Sequence, residues 1–201
     1  MSKGDKVIVY SRDSRATSIF YDILMGKIQA DGGKFDWGIT TSQAYLPVDH
    51  DNYFEESVSL VEWLRKYSKT EEEREELFLR GFLGKMLFSG EEALKNSNVL
   101  SGGEKVRCML SKIMMERANV LLLNEPTNHL DLESITAFNN SLKNFKGTLL
   151  CSTSDHAFSQ TLGNRIVELT PNGAIDRHTT FDDYMTDPKI KELSLIHISE
   201  P

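Results

Sequence analysis

The sequence predicts an α/β fold: a mostly parallel sheet with an inserted all-helical lobe. Short apolar runs rich in β-branched residues alternate with segments whose apolar residues recur at helical spacing. Between residues 52 and 99 this alternation gives way to charged amphipathic patterns. At 201 residues the chain is long enough to bury a core of this kind.

Residues 1–51 are predicted to hold the N-terminal part of the α/β core. Lys6 to Tyr10 is a strand, residues 11–18 are a polar turn, and residues 19–24 repeat their apolar positions as on one helix face. Trp37 to Leu46 is predicted as a further strand. A loop between a buried strand and a helix is a place where phosphate binds.

Residues 52–99 are predicted to form the helical lobe. Thr70 with Glu73 and Ser89 with Glu92 match capping boxes, and the first is expected to open one helix that continues through residues 77–79. The acidic run 71–76 is interpreted as a solvated face, because negative charge is favoured in the first turn of a helix.

Residues 100–192 return to the alternation of strands and helices. The predicted strands are 120–123, 147–151 and 165–169, and Asn172-Gly173 is expected to turn the last of them into a hairpin. Helices are predicted from about Asp131 and over residues 156–162. Residues 193–201 fit no element and resemble the translation of a sequencing-library adapter, so they are left out of the fold prediction.

Composition limits the classes of function. The net charge of −7 lacks the basic footprint that favours binding to a nucleic-acid backbone, and no direct nucleic-acid motif is found. Cys108 and Cys151 are expected to be buried thiols rather than a disulfide. No apolar run reaches the roughly 20 residues that cross a bilayer. These features favour a cytoplasmic protein with no membrane partner.

The stretch from Leu100 to Asp131 carries most of the chemistry. Ser101 and Glu104 form a capping box, and Gly102 and Gly103 let a ligand approach the backbone at the N-terminus of a helix, which predicts an anion site. An apolar strand follows, and it ends in Asn124-Glu125-Pro126-Thr127-Asn128-His129-Leu130-Asp131.

This combination resembles the ATP-binding cassette family over roughly residues 3–185. Leu100 to Glu104 resemble its signature motif, Val120 to Glu125 its Walker B strand with the catalytic Glu125, and Pro126 to Asp131 its D-loop. The resemblance implies a P-loop NTPase-like fold, ATP and Mg²⁺ as cofactors, and ATP held between two cassettes. The residues expected to bind the partner cassette's ATP are Leu100, Ser101, Gly102, Gly103, Glu104 and Asp131.

Thr127 to Asp131 resemble the soluble ABC-F branch, whose members carry two cassettes in one chain and act on ribosomes. Residues 37–45, 80–84 and 100–110 look like the second cassette of a bacterial member. The resemblance implies a fragment covering most of that cassette. Its partners would be the missing first cassette of the same chain and the ribosome, and its role would lie in ATP-driven translation.

The cassette's own nucleotide site departs from the family pattern. Its aligned residues are Ser11, Arg12, Asp13, Ser14, Arg15, Ala16, Thr17, Ser18, Asn124 and Ser154. Ser11 and Ala16 occupy glycine positions, and Thr17 replaces the phosphate-binding lysine. Ser18 keeps a hydroxyl that could bind Mg²⁺. Arg12 or Arg15 could supply a cation, whereas Asp13 would repel phosphate.

Asn124 occupies the place of the Walker B aspartate, and Ser154 occupies that of the switch histidine. His156 is either a substitute for that histidine or an ordinary histidine, and the Q-loop position falls on Gln43 or Val48.

The resulting hypothesis is a cassette that supplies its signature motif to a partner's ATP while its own site is impaired. One alternative is a fully active cassette, with Glu125 as the base and Arg12 or Arg15 in the role of the lysine. A second alternative is the ATPase subunit of a transporter, with a membrane protein docked on the helical lobe. Sequencing error is a rival explanation of the substitutions.

Overall fold

The computed structural model describes residues 1–196, which divide into two compact units. The first unit comprises Met1–Gln43, Asn119–Glu125 and the chain from Lys146 onward. The second unit comprises Ala44–Ala118 and Pro126–Phe145. Residues 197–201, the larger part of the predicted adapter-derived tail, lie outside the described residues.

A mostly parallel sheet forms the centre of the first unit, which confirms the predicted fold class. The strands along the chain are β1 (Lys6–Ser11), β2 (Gln43–Leu46), β3 (Val120–Asn124), β4 (Thr148–Ser152), β5 (Arg165–Thr170) and β6 (Gly173–Arg177). Within the first unit the order is β3-β4-β1-β5-β6, and only β6 runs antiparallel to its neighbour. Every residue of β3 and β4 is buried, as expected for parallel strands that are covered on both faces.

Helices of the first unit flank these strands along the chain. They are α1 (Ser14–Leu24), α7 (His156–Leu162), α8 (Phe181–Thr186) and α9 (Pro188–Ile196). Helices of the second unit are α2 (Leu60–Arg65), α3 (Glu71–Arg74), α4 (Glu76–Lys85), α5 (Gly102–Met115) and α6 (Leu132–Lys143). None of the helices within residues 1–196 is long and apolar enough to cross a membrane.

Two local predictions in the first unit need correction. The polar turn predicted over residues 11–18 is shorter, because Asp13 caps α1 and the helix already begins at Ser14. The strand predicted from Trp37 begins only at Gln43. In the segment before β2, the Trp37 indole N–H donates to the carbonyl of Leu24 at 3.1 Å.

The predicted lobe, residues 52–99, lies within the second unit, where short helices joined by turns and loops are accompanied by one isolated bridge, between Ser59 and Asn96. The single helix expected after Thr70 is wrong, because extended backbone at Glu75 separates α3 from α4. Thr70 does cap α3, but the Glu73 carboxylate accepts the N–H of Lys69 at 2.7 Å instead of completing the box. The Ser89 box is also wrong, since its side chain makes no capping hydrogen bond.

Buried side chains hold each unit together. In the second unit Trp63, Leu64 and Leu83 are at most 1% exposed. Both cysteines are buried and free, as predicted. Burial raises the pKa of each thiol, so both behave as apolar packing groups rather than as reactive thiolates.

Candidate functional site

Helix α5 of the second unit begins within the predicted signature motif, and its N-terminus has a complete capping box. Ser101 Oγ accepts the Glu104 N–H at 3.4 Å, and Glu104 Oε2 accepts the Ser101 N–H at 2.8 Å. Burial opposes ionisation of Glu104, but hydrogen bonds from Lys95 and Ser101 lower its pKa overall. The amides of Gly102 and Gly103 lie between these capped groups, at the helix end where an anion is favoured.

The loop from Pro126 to Asp131 packs directly on the first turn of α5. A Cβ atom added to Gly103 would collide with the backbone carbonyl of His129, whereas one added to Gly102 would lie 3.6 Å from the His129 ring. His129 itself has a left-handed backbone, with φ of 63°. The absence of a side chain at Gly103 is therefore required by this packing.

Asp131 ends that loop and caps the next helix. Its Oδ1 accepts the Ser134 N–H at 2.8 Å, and the hydrogen bonds from Ser134 lower its pKa. Leu100, the remaining predicted residue, is buried just before Ser101. The second unit thus brings the predicted signature and D-loop residues together.

The predicted phosphate loop lies between β1 and α1 in the first unit. Asp13 Oδ1 accepts the Arg15 N–H at 2.9 Å, so the protein's own carboxylate lies at the N-terminus where phosphate would bind. Arg15 is exposed, and its Nε lies 3.5 Å from Asp13 Oδ1. Ser11 Oγ donates to the carbonyl of Leu169 at 3.2 Å.

Thr17, at the lysine position, turns inward. It is 4% exposed, and its hydroxyl donates to the carbonyl of Ser14 at 2.7 Å, one turn earlier in the same helix. A hydroxyl bonded within its own helix supplies no cation for a phosphate. Ser14 and Ala16 belong to the same first turns of α1.

An uncharged hydrogen-bond chain occupies the predicted Mg²⁺ position. Asn124 Nδ2 donates to Ser18 Oγ at 3.2 Å, and Ser152 Oγ donates to Asn124 Oδ1 at 2.8 Å. Mg²⁺ is held in proteins mainly by carboxylates together with water and substrate phosphates. None of Ser18, Asn124 and Ser152 carries a carboxylate. Over residues 1–196 no group of three His, Cys, Asp or Glu residues is placed to hold a metal ion. These side chains do not fit an ordinary Mg²⁺ site.

Glu125 follows directly and is half-buried. It has a left-handed backbone, with φ of 52°, and its N–H donates to the carbonyl of Ser152 at 2.8 Å. Its Oε2 accepts the N–H of Ser154 at 3.3 Å. Burial raises the pKa of Glu125 although the Ser154 hydrogen bond opposes the shift. A carboxylate with a raised pKa is a suitable general base.

The switch-histidine position offers only a serine, Ser154, and its backbone. His156 is directed elsewhere: its Nε2 lies 2.8 Å from Asp182 Oδ1 on α8, and its ring meets the edge of Phe181 at 5.2 Å. The interpretation of His156 as an ordinary histidine therefore fits its contacts better. Gln43, the first residue of β2, donates from its side-chain amide to Thr41 Oγ1 at 2.8 Å.

Ser152 was missed at the level of sequence. The signal was present, since Ser152 ends β4 as Asn124 ends β3, and the two residues are register partners in neighbouring parallel strands. The carboxyl ends of parallel strands meet at one edge of a sheet, which is where ligands bind in such folds.

Comparisons with known proteins identify the family to which the chain is related. Residues 17–128, more than half of the chain, match the family described as ABC transporter. The ABC transporter ATP-binding protein YkpA of Bacillus subtilis, itself described as uncharacterized, is 53% identical over 96% of this chain and 35% of its own length. The energy-dependent translational throttle protein EttA of Haemophilus influenzae is 28% identical over 90% of this chain and 33% of its own.

Among solved structures, the RNase-L inhibitor superposes with a TM-score of 0.69 and 19% identity, over 91% of this chain and 36% of its own. At that identity the likeness concerns the fold alone. The chain spans about a third of the length of the curated relatives it matches. The family match, together with the signature loop and the strand followed by Glu125, shows that this chain belongs to the ATP-binding cassette family.

Proposed function

We propose that this chain is a cassette of an ABC-F-type ATPase that acts on the ribosome in translation in the cytoplasm. In this proposal it supplies its signature motif to ATP held by a partner cassette, while its own nucleotide site is impaired. The relation to EttA, whose name describes a translational throttle, supports the link to translation. The Thr127-to-Asp131 sequence supports the same branch.

The contrast between the two half-sites carries the proposal. In the second unit, the capping box of Ser101 and the Gly103 contact with His129 form a well-defined helix N-terminus. In the first unit, Asp13 lies where phosphate would bind, and Asn124 offers an amide in place of a carboxylate. The difference lies in the capping carboxylates: at α5 the Glu104 carboxylate is itself paired with Lys95, whereas at α1 the Asp13 carboxylate would repel a phosphate.

The partner in this proposal is another cassette of the same longer protein. The chain covers 35% of YkpA and 33% of EttA, so each of these relatives has room for a second cassette. ATP bound on that partner, with Mg²⁺ at the partner's site, would contact Ser101 and Gly102 of this chain. No step of hydrolysis is assigned to this chain's own phosphate loop.

The first experiment blocks the signature loop in the full-length protein. Ser101→Arg places a bulky cation at the loop and removes the capping hydroxyl, so ATP turnover is expected to fall at least tenfold. The matched control is Ser89→Arg, the same change at an exposed N-cap position that makes no side-chain capping bond. Equal turnover of the two variants would contradict the role given to the signature loop.

The second experiment asks which cassette hydrolyses ATP. Glu125→Gln is expected to leave most of the turnover, whereas the matching substitution in the other cassette should abolish it. Ribosome co-sedimentation of the same proteins, with and without ATP, tests the link to translation. A protein that never sediments with ribosomes would contradict that link.

Two other functions have specific support. Glu125, with its raised pKa, favours a fully active cassette, and in that case Glu125→Gln alone would stop most turnover. The description of YkpA as an ABC transporter ATP-binding protein favours a transporter subunit. That alternative predicts co-purification with a membrane protein, and recovery of ribosomes without membrane proteins would argue against it.

A further inference from the structure

We propose that the Ser18–Asn124–Ser152 chain is a metal-free bridge that does permanently what a bound cation would otherwise do: it ties α1 to the ends of two strands. Ser18 lies on α1, Asn124 ends β3 and Ser152 ends β4. All three belong to the first unit. The inference rests on the part of the proposed function that treats the cassette's own site as impaired.

The geometry of Asn124 supports this role. Its side chain is 2% exposed, and both ends of its amide are used: Nδ2 donates to Ser18 at 3.2 Å and Oδ1 accepts from Ser152 at 2.8 Å. A buried amide with both ends bonded is stable, whereas one that loses a partner is costly. A cation placed between Ser18 and residue 124 would have to break the first of these bonds.

The backbone beside the chain reinforces it. Asn124 and Ser152 are register partners of adjacent parallel strands, and the next amide, that of Glu125, donates to the carbonyl of Ser152 at 2.8 Å. Residue 124 is therefore held between fixed neighbours without any ligand. An aspartate there would keep the shape but would place an uncompensated charge where the amide donated a hydrogen bond.

The experiment measures thermal unfolding of the purified full chain without nucleotide or ribosomes. The wild-type protein is expected to unfold at the same temperature, within about 1 °C, with EDTA or with millimolar Mg²⁺. Asn124→Asp is expected to lose about 4–8 °C, because the carboxylate cannot donate to Ser18 and adds a buried charge. Asn164→Asp is the matched control, because Asn164 is exposed and its Oδ1 accepts from the Lys6 N–H, a bond that aspartate preserves.

A second pair of variants keeps the charge constant. Ser152→Ala removes the donor to Asn124 and is expected to lower the unfolding temperature by about 2–6 °C, equally with and without Mg²⁺. Ser154→Ala, on the exposed neighbouring position, should change it by less than about 1 °C.

Three results would overturn the bridge: stabilisation of the wild-type protein by Mg²⁺, an Asn124→Asp protein as stable as the wild type, or a Ser152→Ala protein as stable as the wild type. Since none of these measurements involves ATP turnover or ribosomes, their failure is separate from a failure of the proposed function.

Discussion

Replacement of Gly103 by alanine tests the packing of the signature loop most directly. An added Cβ atom would collide with the backbone carbonyl of His129, and a carbonyl held in the backbone cannot rotate away as a side chain can. The loop carrying His129 must therefore move, or the first turn of α5 must unwind. Either response disturbs the positions of Ser101 and Asp131.

The magnitude follows from two opposing terms. Alanine gains at most about 1 kcal/mol over glycine from helix propensity. Overpacking against the main chain costs about 1–3 kcal/mol. The cost at Gly103 is expected near the upper end of that range, because the clashing atom is a backbone oxygen. The expected net loss is about 1–2 kcal/mol, or an unfolding temperature lower by roughly 2–8 °C for a chain of this length.

Two glycines of the second unit supply matched controls. A Cβ atom at Gly81, within α4, would meet nothing within 4 Å, so Gly81→Ala should gain up to about 1 kcal/mol. A Cβ atom at Gly102 would make ordinary contact with His129 at 3.6 Å, so Gly102→Ala should be close to neutral. The three alanine variants are therefore expected in the stability order 81, 102, 103.

The assay is thermal and urea unfolding followed by circular dichroism on the three variants and the wild type. Turnover of the full-length protein gives a second readout, in which Gly103→Ala should show a marked loss and Gly81→Ala should not. A Gly103→Ala protein as stable as Gly81→Ala would refute the close contact between α5 and the His129 carbonyl.

Two further predictions concern charge in the first unit. Burial raises the pKa of Glu125, so ionisation of its carboxyl group lowers the stability of the fold. This loss of stability is absent at low pH and develops as the pH rises through the folded pKa. Glu125→Gln should therefore unfold at a higher temperature than the wild type at pH 8, and the difference should shrink toward pH 4. The Arg165 hydrogen bonds lower the pKa of Asp176, so this pair stabilises the fold above the unfolded pKa of about 4, and the stabilisation is lost as the pH falls through the folded pKa. Arg165→Met should therefore lower the free energy of unfolding by about 1 kcal/mol at pH 7 and by little at pH 2, as measured by urea unfolding.

Features set by neighbouring residues could be predicted from the sequence. The capping box of Ser101 and Glu104 involves residues three apart, and the structure contains it as expected. The same spacing at Thr70 and Ser89 was misleading, because Glu73 bonds Lys69 and the Ser89 hydroxyl makes no cap. A capping pattern states which bonds are available, but tertiary surroundings decide which of them form.

Features that join distant parts of the chain could be predicted only in part. The parallel sheet followed from the alternation of apolar runs and helical patterns, since that alternation has few solutions. The hydrogen bond from Asn124 to Ser18 joins residues 106 positions apart in the sequence, and neither an asparagine nor a serine by itself predicts such a contact. Likewise, the contact of His129 with Gly103 depends on a left-handed backbone that the sequence around it does not specify.

Under the proposed function, the bridge through Asn124 also bears on how the full-length protein responds to ATP concentration. Two equivalent ATP sites that close together respond to ATP with a steep, sigmoidal curve. If Ser18, Asn124 and Ser152 keep one half-site in a single arrangement at every ATP concentration, only the partner's site remains to be filled. ATP-driven closure of the full-length protein would then follow a simple hyperbola, with a Hill coefficient of about 1 rather than about 2.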